Sequence, residues 1–272
     1  MKPAAFDYVR PDRLEDAADL LAEDGVGTKI VSGAQSLGPM LNLRLVRPGR
    51  LLDVTAIPAL RTVEDAGDAV VIGACITHAD IEDGRVPDAW GGMLRQLASG
   101  IAYRAVRNRG TVGGSLCHAD PAADWLSILT ALGAEARLYS RRGRRTVALE
   151  SFVLGAFETA LAADEILEAV RIPKLSGRAR WGYSKSCRKA GEFAHAIGVV
   201  VDDPETGRCR AVIGATETPP ILVADARGLL SGDGTVQADW VLRLLGEAGM
   251  QDPFEQQIHL VALERAGAQA RL

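Results

Sequence analysis

The chain has few of the residues that bind metals, and those few lie far apart. Its 272 residues include four cysteines and four histidines, without any C-x-x-C or H-E-x-x-H spacing. Zinc ribbons and iron–sulfur clusters need sets of closely spaced ligands, so the sequence argues against both kinds of site. We therefore predict no metal ligands. We expect reduced thiols that are mostly buried, and histidines with structural or surface roles.

Excess positive charge, long apolar segments and a serine-nucleophile motif are also missing. The net charge of -4 argues against binding to nucleic acid or to an anionic membrane. No uninterrupted apolar stretch is long enough to cross a bilayer, and Asp7 precedes any apolar run that could serve as a signal peptide. Without a G-x-S-x-G motif, we predict no catalytic residue. We expect a cytoplasmic protein that is long enough for two domains.

The first 60 residues alternate between helical and strand patterns. Asp12, followed three residues later by Glu15, resembles a capping box, and apolar residues then recur at helical spacing up to Leu21. Runs typical of strands follow at residues 28–31 and 51–54, while residues 40–45 alternate weakly. Together these patterns predict a small unit of the βαβ type.

Beyond residue 56 the pattern changes, and the chain ends in helical sequence. We predict a helix over residues 93–109, a short helix over 125–132 and a hairpin with a basic turn over 137–149. Residues 173–177 are polar and turn-rich, which marks them as the domain boundary. The other predicted strands are 69–74, 165–172, 181–187, 196–202 and 208–216, and the other predicted helices are 221–230, 236–247 and 254–270.

Two glycine-rich segments, SGAQS at 32–36 and TVGGS at 111–115, lie about 80 residues apart. Glycine allows a backbone to approach a ligand closely, and successive N–H groups form a concave site for an anion. The acidic sequence DPAAD at 120–124 follows the second segment. These features suggest a site for the pyrophosphate and sugar of a dinucleotide, although two tight turns in unrelated places would give the same sequence pattern.

The wider sequence around both segments resembles a known family. Residues 32–37, with Pro39, Arg44 and Pro48, resemble the A-G-G-Q-S-L…P…R-x-x-x-P loop of the FAD-binding (medium) subunits of molybdenum hydroxylases, the xanthine dehydrogenase and aerobic carbon monoxide dehydrogenase group. Residues 107–116, RNRGTVGGSL, are similar to its R-N-x-G-T-I-G-G-S/N-L motif, and residues 118–124 continue the match. Residues 183–194 resemble its Y-x-K-x-x-R-x-x-x-F-A stretch. The resemblance therefore covers nearly the whole chain in order.

The resemblance implies an α+β fold. It consists of a p-cresol methylhydroxylase-type FAD-binding domain over residues 1–175, with α/β subdomains at about 1–56 and 57–175. A C-terminal domain over residues 178–272, with a small antiparallel sheet and helices, would cover the flavin. The residues expected to bind FAD non-covalently are Ser32, Gly33, Ala34, Gln35, Ser36, Leu37, Thr111, Gly113, Gly114, Ser115, Asp120, Asp124, Ile166, Leu167, Tyr183 and Lys185.

Several of these residues have a second interpretation. Asp124 would bind the adenosine ribose or, alternatively, cap the helix that follows it. Lys185 would lie near the flavin N1–C2=O edge or simply be solvated, and Tyr183 could belong to the core. The basic residues at 104–109 could end a helix, contact a partner or attract the pyrophosphate. Ala34 replaces a family glycine, so we expect its φ to be negative.

The resemblance also implies that the chain is an oxidoreductase subunit. It would take electrons from two iron–sulfur clusters on a small partner subunit and pass them to an external small-molecule acceptor. The molybdopterin cofactor would belong to a large partner subunit. The alternative is a self-sufficient flavin oxidoreductase of the same fold without molybdenum partners.

Overall fold

The computed structural model describes residues 2–23, 25–231 and 234–270 of the chain. The helices are α1 Leu14–Leu21, α2 Leu37–Asn42, α3 His78–Glu82, α4 Met93–Gly100, α5 Arg104–Arg107, α6 Val112–His118, α7 Asp124–Leu132, α8 Ala238–Glu247 and α9 Pro253–Ala270. The strands are β1 Asp7–Val9, β2 Thr28–Val31, β3 Arg50–Asp53, β4 Val63–Asp65, β5 Ala69–Gly73, β6 Glu135–Ser140, β7 Gly143–Ala148, β8 Val153–Gly155, β9 Glu158–Thr159, β10 Ile166–Pro173, β11 Arg180–Ser186, β12 Ala196–Asp203, β13 Arg208–Gly214 and β14 Ile221–Val223.

The first subdomain is a three-stranded parallel sheet of order β1-β3-β2, as the βαβ pattern predicted. One local prediction is wrong. Helix α1 begins after an extended Arg13 that makes no side-chain cap, so Asp12 is not the capping residue. The weakly alternating residues 40–45 overlap the C-terminal half of α2, which lies between β2 and β3, and Pro39 lies in its first turn, where the missing N–H leaves no helical hydrogen bond unmade.

The second subdomain contains a five-stranded antiparallel sheet of order β4-β5-β10-β6-β7. The helix predicted over 93–109 is interrupted: α4 ends at Gly100, Ala102 has φ +43° and α5 is a separate short helix. The predicted hairpin with a basic turn is confirmed as β6–β7. The four arginines at its turn pair with carboxylates, namely Arg141 with Asp19, Arg142 with Asp164, Arg144 with Glu168 and Arg145 with Glu165.

The C-terminal domain is an antiparallel sheet of order β11-β12-β13-β14 that lies between two helices. Helix α9 packs closely on one face, because Gly182 and Gly198 leave room for its backbone at Ala266 and Ala262. Helix α7 of the preceding domain covers the other face, and all of its residues are buried. The helix predicted over 221–230 is wrong, since β14 pairs with β13 and completes the sheet.

The expected distribution of thiols is only half correct. Cys75 and Cys209 are buried, whereas Cys187 is partly accessible and Cys117 is exposed. Among the described helices, none combines the length and apolar character that a membrane span requires.

Candidate functional site

The first glycine-rich segment begins where the parallel strand β2 ends. Val31 pairs with Asp53 at the carboxyl edge of this sheet, and Ser32 follows directly. Ligands of open α/β sheets bind beyond the carboxyl ends of the strands. In the described ranges, the backbone N–H groups of residues 33–37 donate to no protein acceptor. Five successive donors at this edge therefore remain for a ligand or for water.

Ala34, within this run, adopts the left-handed conformation with φ +59°. The expectation of a negative φ is wrong. The N–H of Gly38 donates to the carbonyl of Ala34 at 2.9 Å, and the Gln35 side-chain amide donates to the carbonyl of Gly33 at 2.9 Å. These contacts fix the loop in a conformation that glycine adopts more easily than alanine.

The second glycine-rich segment is the start of helix α6 and not a loop. The Thr111 hydroxyl caps the helix by accepting the Gly114 N–H at 3.0 Å. The Gly113 N–H donates to the carbonyl of Ala74 at 2.9 Å, and the Ser115 N–H donates to that of Thr111 at 3.0 Å. Because these three groups already have acceptors, their donation to a pyrophosphate stays a prediction.

The two segments lie against each other, although 79 positions separate Ser32 and Thr111. The hydroxyl oxygens of these residues are 3.0 Å apart. A Cβ atom on Gly33 would lie 2.3 Å from the carbonyl oxygen of Arg109, and one on Gly114 would lie 2.8 Å from both hydroxyl oxygens. A Cβ atom on Gly113 would lie 2.5 Å from that of Ala74. The glycines are therefore needed for close approach, and the segments are not turns in unrelated places.

A buried ion pair joins helix α7 to the C-terminal sheet. The Lys185 ammonium lies 3.0 Å from one carboxylate oxygen of Asp124, and the side chains are 11% and 8% exposed. The Tyr183 hydroxyl donates to the same carboxylate. Burial, together with the charge of Asp124, raises the pKa of Tyr183. Lys185 is therefore not a solvated side chain, and Ala123, not Asp124, occupies the N-cap of α7.

His78 bonds a residue next to the second glycine-rich segment and a residue next to this ion pair. Its backbone N–H donates to the carbonyl of Gly110 at 2.9 Å, and its ring Nδ1 accepts the indole N–H of Trp125 at 3.0 Å. Burial, with a smaller effect of Arg107, lowers the pKa of His78 to about 4. The ring is therefore neutral near pH 7, which agrees with a structural role.

The remaining predicted residues make internal contacts. The Asp120 carboxylate accepts the Ala122 N–H at 2.9 Å within the turn between α6 and α7. Ile166 and Leu167 are buried in apolar clusters on opposite faces of β10. Their roles toward a cofactor stay predictions.

Sequence reasoning missed a polar cluster at the same carboxyl edge. The Asp53 carboxylate accepts the hydroxyl of Tyr8, and it accepts the Thr55 N–H at 2.9 Å and the Thr55 hydroxyl at 2.7 Å. Burial raises the pKa of Asp53, but the hydrogen bonds from Tyr8 and Thr55 outweigh it and hold the pKa below its usual value. An aspartate that ends a strand two residues before a threonine is the available signal.

Donor chemistry at this edge fits the pyrophosphate of a dinucleotide. Among the residues that the structure describes, the amide N–H groups of residues 33–37 have no protein acceptor, and the nearby glycines allow the two segments to approach each other closely. Phosphate oxygens accept such N–H groups without needing a lysine.

Comparison with known proteins agrees with this geometry. Residues 4–175 match the family described as the FAD binding domain in molybdopterin dehydrogenase. The chain is 37% identical over 235 residues to the nicotine 6-hydroxylase medium subunit of Paenarthrobacter nicotinovorans, covering 85% of this chain and 82% of that protein. It is 35% identical over 224 residues to the caffeine dehydrogenase subunit beta of Pseudomonas sp. (strain CBB1), covering 80% and 76%.

A solved structure extends the match to nearly the whole chain. A chain of the carbon monoxide dehydrogenase from Hydrogenophaga pseudoflava, in a form that lacks the Mo-pyranopterin moiety, superimposes with a TM-score of 0.87 at 30% identity. The match covers 99% of this chain and 98% of that chain. The expected α+β architecture is thereby confirmed.

Proposed function

The chain belongs to the family of FAD-binding medium subunits of molybdenum hydroxylases, and from this membership we propose that it is the electron outlet of a multi-subunit oxidoreductase. It would take electrons from iron–sulfur clusters of a small partner subunit and deliver them to an external acceptor. The molybdopterin centre, where the organic substrate reacts, would lie on a large partner subunit. A bound flavin exchanges electrons singly or in pairs, which links these two kinds of carrier.

The contact between the two glycine-rich segments is the observation that carries this proposal. The Ser32 and Thr111 hydroxyls hold the amides of residues 33–37 against the start of α6. In our proposal these amides bind the pyrophosphate of FAD, and the residues expected from the sequence line the rest of the site. A cytoplasmic location and the boundaries 1–175 and 178–272 are part of the same proposal, which the extent of the family match at residues 4–175 supports for the first domain.

The ion pair restricts the roles of Asp124 and Lys185. An adenosine ribose and a flavin N1–C2=O edge are separated by the pyrophosphate and the ribityl chain, yet the charged atoms of these residues are 3.0 Å apart. Binding both groups at once therefore requires the ion pair to open or the dinucleotide to fold. Comparing FAD with FMN decides the ribose role, because FMN lacks the adenosine half. Asp124→Ala should weaken FAD binding about ten- to a hundredfold more than FMN binding if Asp124 binds the ribose.

The purified chain tests the function directly. We expect one FAD per chain, released into the supernatant by acid precipitation. The chain should accept electrons from dithionite but leave aldehydes, purines and N-heterocycles unoxidised. Purification from the native cell should recover a molybdenum-containing partner and an iron–sulfur partner. Steady turnover of an organic substrate by the metal-free chain would reject the proposal in favour of a self-sufficient flavin oxidoreductase.

A further inference from the structure

The three arginines at residues 104–109 differ in their charge partners. The Arg104 guanidinium donates to both carboxylate oxygens of Asp83, each at 2.7 Å, and to Glu82 at 2.8 Å. Arg107 donates to both oxygens of Glu82, at 2.7 and 2.9 Å. Within the part of the chain that the structure describes, the exposed side chain of Arg109 forms neither an ion pair nor a hydrogen bond. Its positive charge is therefore not neutralised by a neighbouring carboxylate.

Arg109 lies where the two glycine-rich segments meet. Its carbonyl oxygen is the atom that a Cβ on Gly33 would approach to 2.3 Å. Thr111, two residues further on, contacts Ser32 through its hydroxyl. The hydrogen bond to Asp53 raises the pKa of Tyr8, and the charges of Arg10 and, to a smaller extent, Arg109 partly offset this rise. The guanidinium is thus close to the carboxyl edge of the parallel sheet.

The carboxylate of Asp53, which lies at this edge, forms no ion pair with Arg109. Asp53 already accepts hydrogen bonds from Tyr8 and Thr55, and the Arg10 guanidinium lies 3.5 Å from its carboxylate. Arg109 has no carboxylate partner among the described residues, and its backbone contacts Gly33 in the run of five amide donors, so its charge is suited to an anion with more than one negative charge at this edge.

We propose that Arg109 is the positively charged residue that pairs with the pyrophosphate of FAD, whereas Arg104 and Arg107 stabilise the fold through Glu82 and Asp83. This inference rests on the proposed function, because it assigns one more residue to the same site. A guanidinium forms charge-assisted hydrogen bonds to phosphate oxygens, and its removal should leave the amide contacts intact.

FAD titration of the apoprotein tests the assignment, with quenching of flavin fluorescence as the signal. Arg109→Gln should raise the Kd for FAD about ten- to a hundredfold. The matched control is Arg104→Gln in the same segment, which should leave the Kd unchanged. Raising the ionic strength should weaken FAD binding to the wild-type chain more steeply than FAD binding to Arg109→Gln. Salt screens the attraction between Arg109 and the pyrophosphate, which the variant lacks. A purely structural role would not change this salt dependence.

Each outcome decides a separate question. If the wild-type chain does not bind FAD, the proposed function itself fails. If it binds FAD and the two glutamine variants have equal affinities, the assignment of Arg109 is overturned. If Arg109→Gln does not fold, Arg109→Lys replaces it, since lysine keeps the charge but loses the forked geometry. The assignment would also be overturned if Arg109→Lys bound FAD with the wild-type Kd and if the Kd of both chains depended only weakly on salt.

Discussion

Lys185→Met should destabilise the chain strongly, because it leaves a buried carboxylate without its cation. The ammonium of Lys185 and the carboxylate of Asp124 lie 3.0 Å apart, and both side chains are almost fully buried. Asp124 begins α7, whereas Lys185 lies on β11, so the pair joins this helix to the C-terminal sheet. Methionine has a similar length and preserves most of the packing, so the loss reports mainly on the charge.

The structure sets the size of the effect. Breaking a buried pair by removing one partner costs about 3–5 kcal/mol, a large part of the roughly 5–15 kcal/mol that stabilises a typical domain. Tyr183→Phe removes only one hydrogen bond to the same carboxylate and should cost about 1.5–3 kcal/mol. Combining Lys185→Met with Asp124→Asn should cost less than the sum of the single changes, since no unpaired charge remains.

Urea unfolding of the apoproteins measures these differences. Arg227→Met is the matched control: Arg227 and Asp225 form an ion pair at 2.8 Å, but both side chains are largely solvent-exposed. We expect no measurable change in that variant. A similarly small effect of Lys185→Met, or additive single and double changes, would refute the view that this pair stabilises the contact between α7 and the C-terminal sheet.

Three further changes test other features of the site. Ala34→Gly should stabilise the chain by about 1 kcal/mol in urea unfolding, because alanine is strained at φ +59° and glycine is not. A loss of stability in this variant would contradict that strain. Gly113→Ala should lower the free energy of unfolding by about 1–3 kcal/mol, because its Cβ would overpack against Ala74. Gly38→Ala, whose Cβ would have no neighbour nearer than 3.9 Å, should raise it by about 0.5–1 kcal/mol. Equal effects of the two changes would rule out crowding at Gly113. The pKa of His78 is near 6.5 in the unfolded chain and about 4 in the folded chain, so the unfolded chain binds the proton more readily below pH 6.5. Stability should therefore fall by about 3 kcal/mol as the pH drops from 6.5 to 4, and His78→Gln should lack this pH dependence.

Regular patterns in the sequence predicted the elements that local periodicity determines. The hairpin β6–β7, helix α7 and the strands β11 to β13 occur close to the predicted positions. The failures occur where tertiary contacts decide the conformation. Residues 221–223 join a sheet whose other strands hold the backbone donors and acceptors that they need, and this pairing overrides their helical pattern.

The candidate site was predictable as two motifs but not as one surface. Ser32 and Thr111 are 79 positions apart, and only the fold brings their hydroxyls together. The resemblance identified Asp124 and Lys185 separately, while their contact depends on how α7 crosses the C-terminal sheet. Likewise, composition gave three equivalent arginines at 104–109, and only the positions of Glu82 and Asp83 distinguish Arg109 from the others.

Helix α7 has a consequence for how the molecule unfolds. All of its residues are buried, with the core of its own domain on one side and the C-terminal sheet on the other. If the structure on either side of α7 melted alone, the helix would expose a largely apolar surface that also carries Asp124, Ser127 and Thr130, and the remaining side would lose part of its core. We therefore expect a single cooperative calorimetric transition, and fragments that stay associated when a protease cuts the turn-rich segment at 173–177.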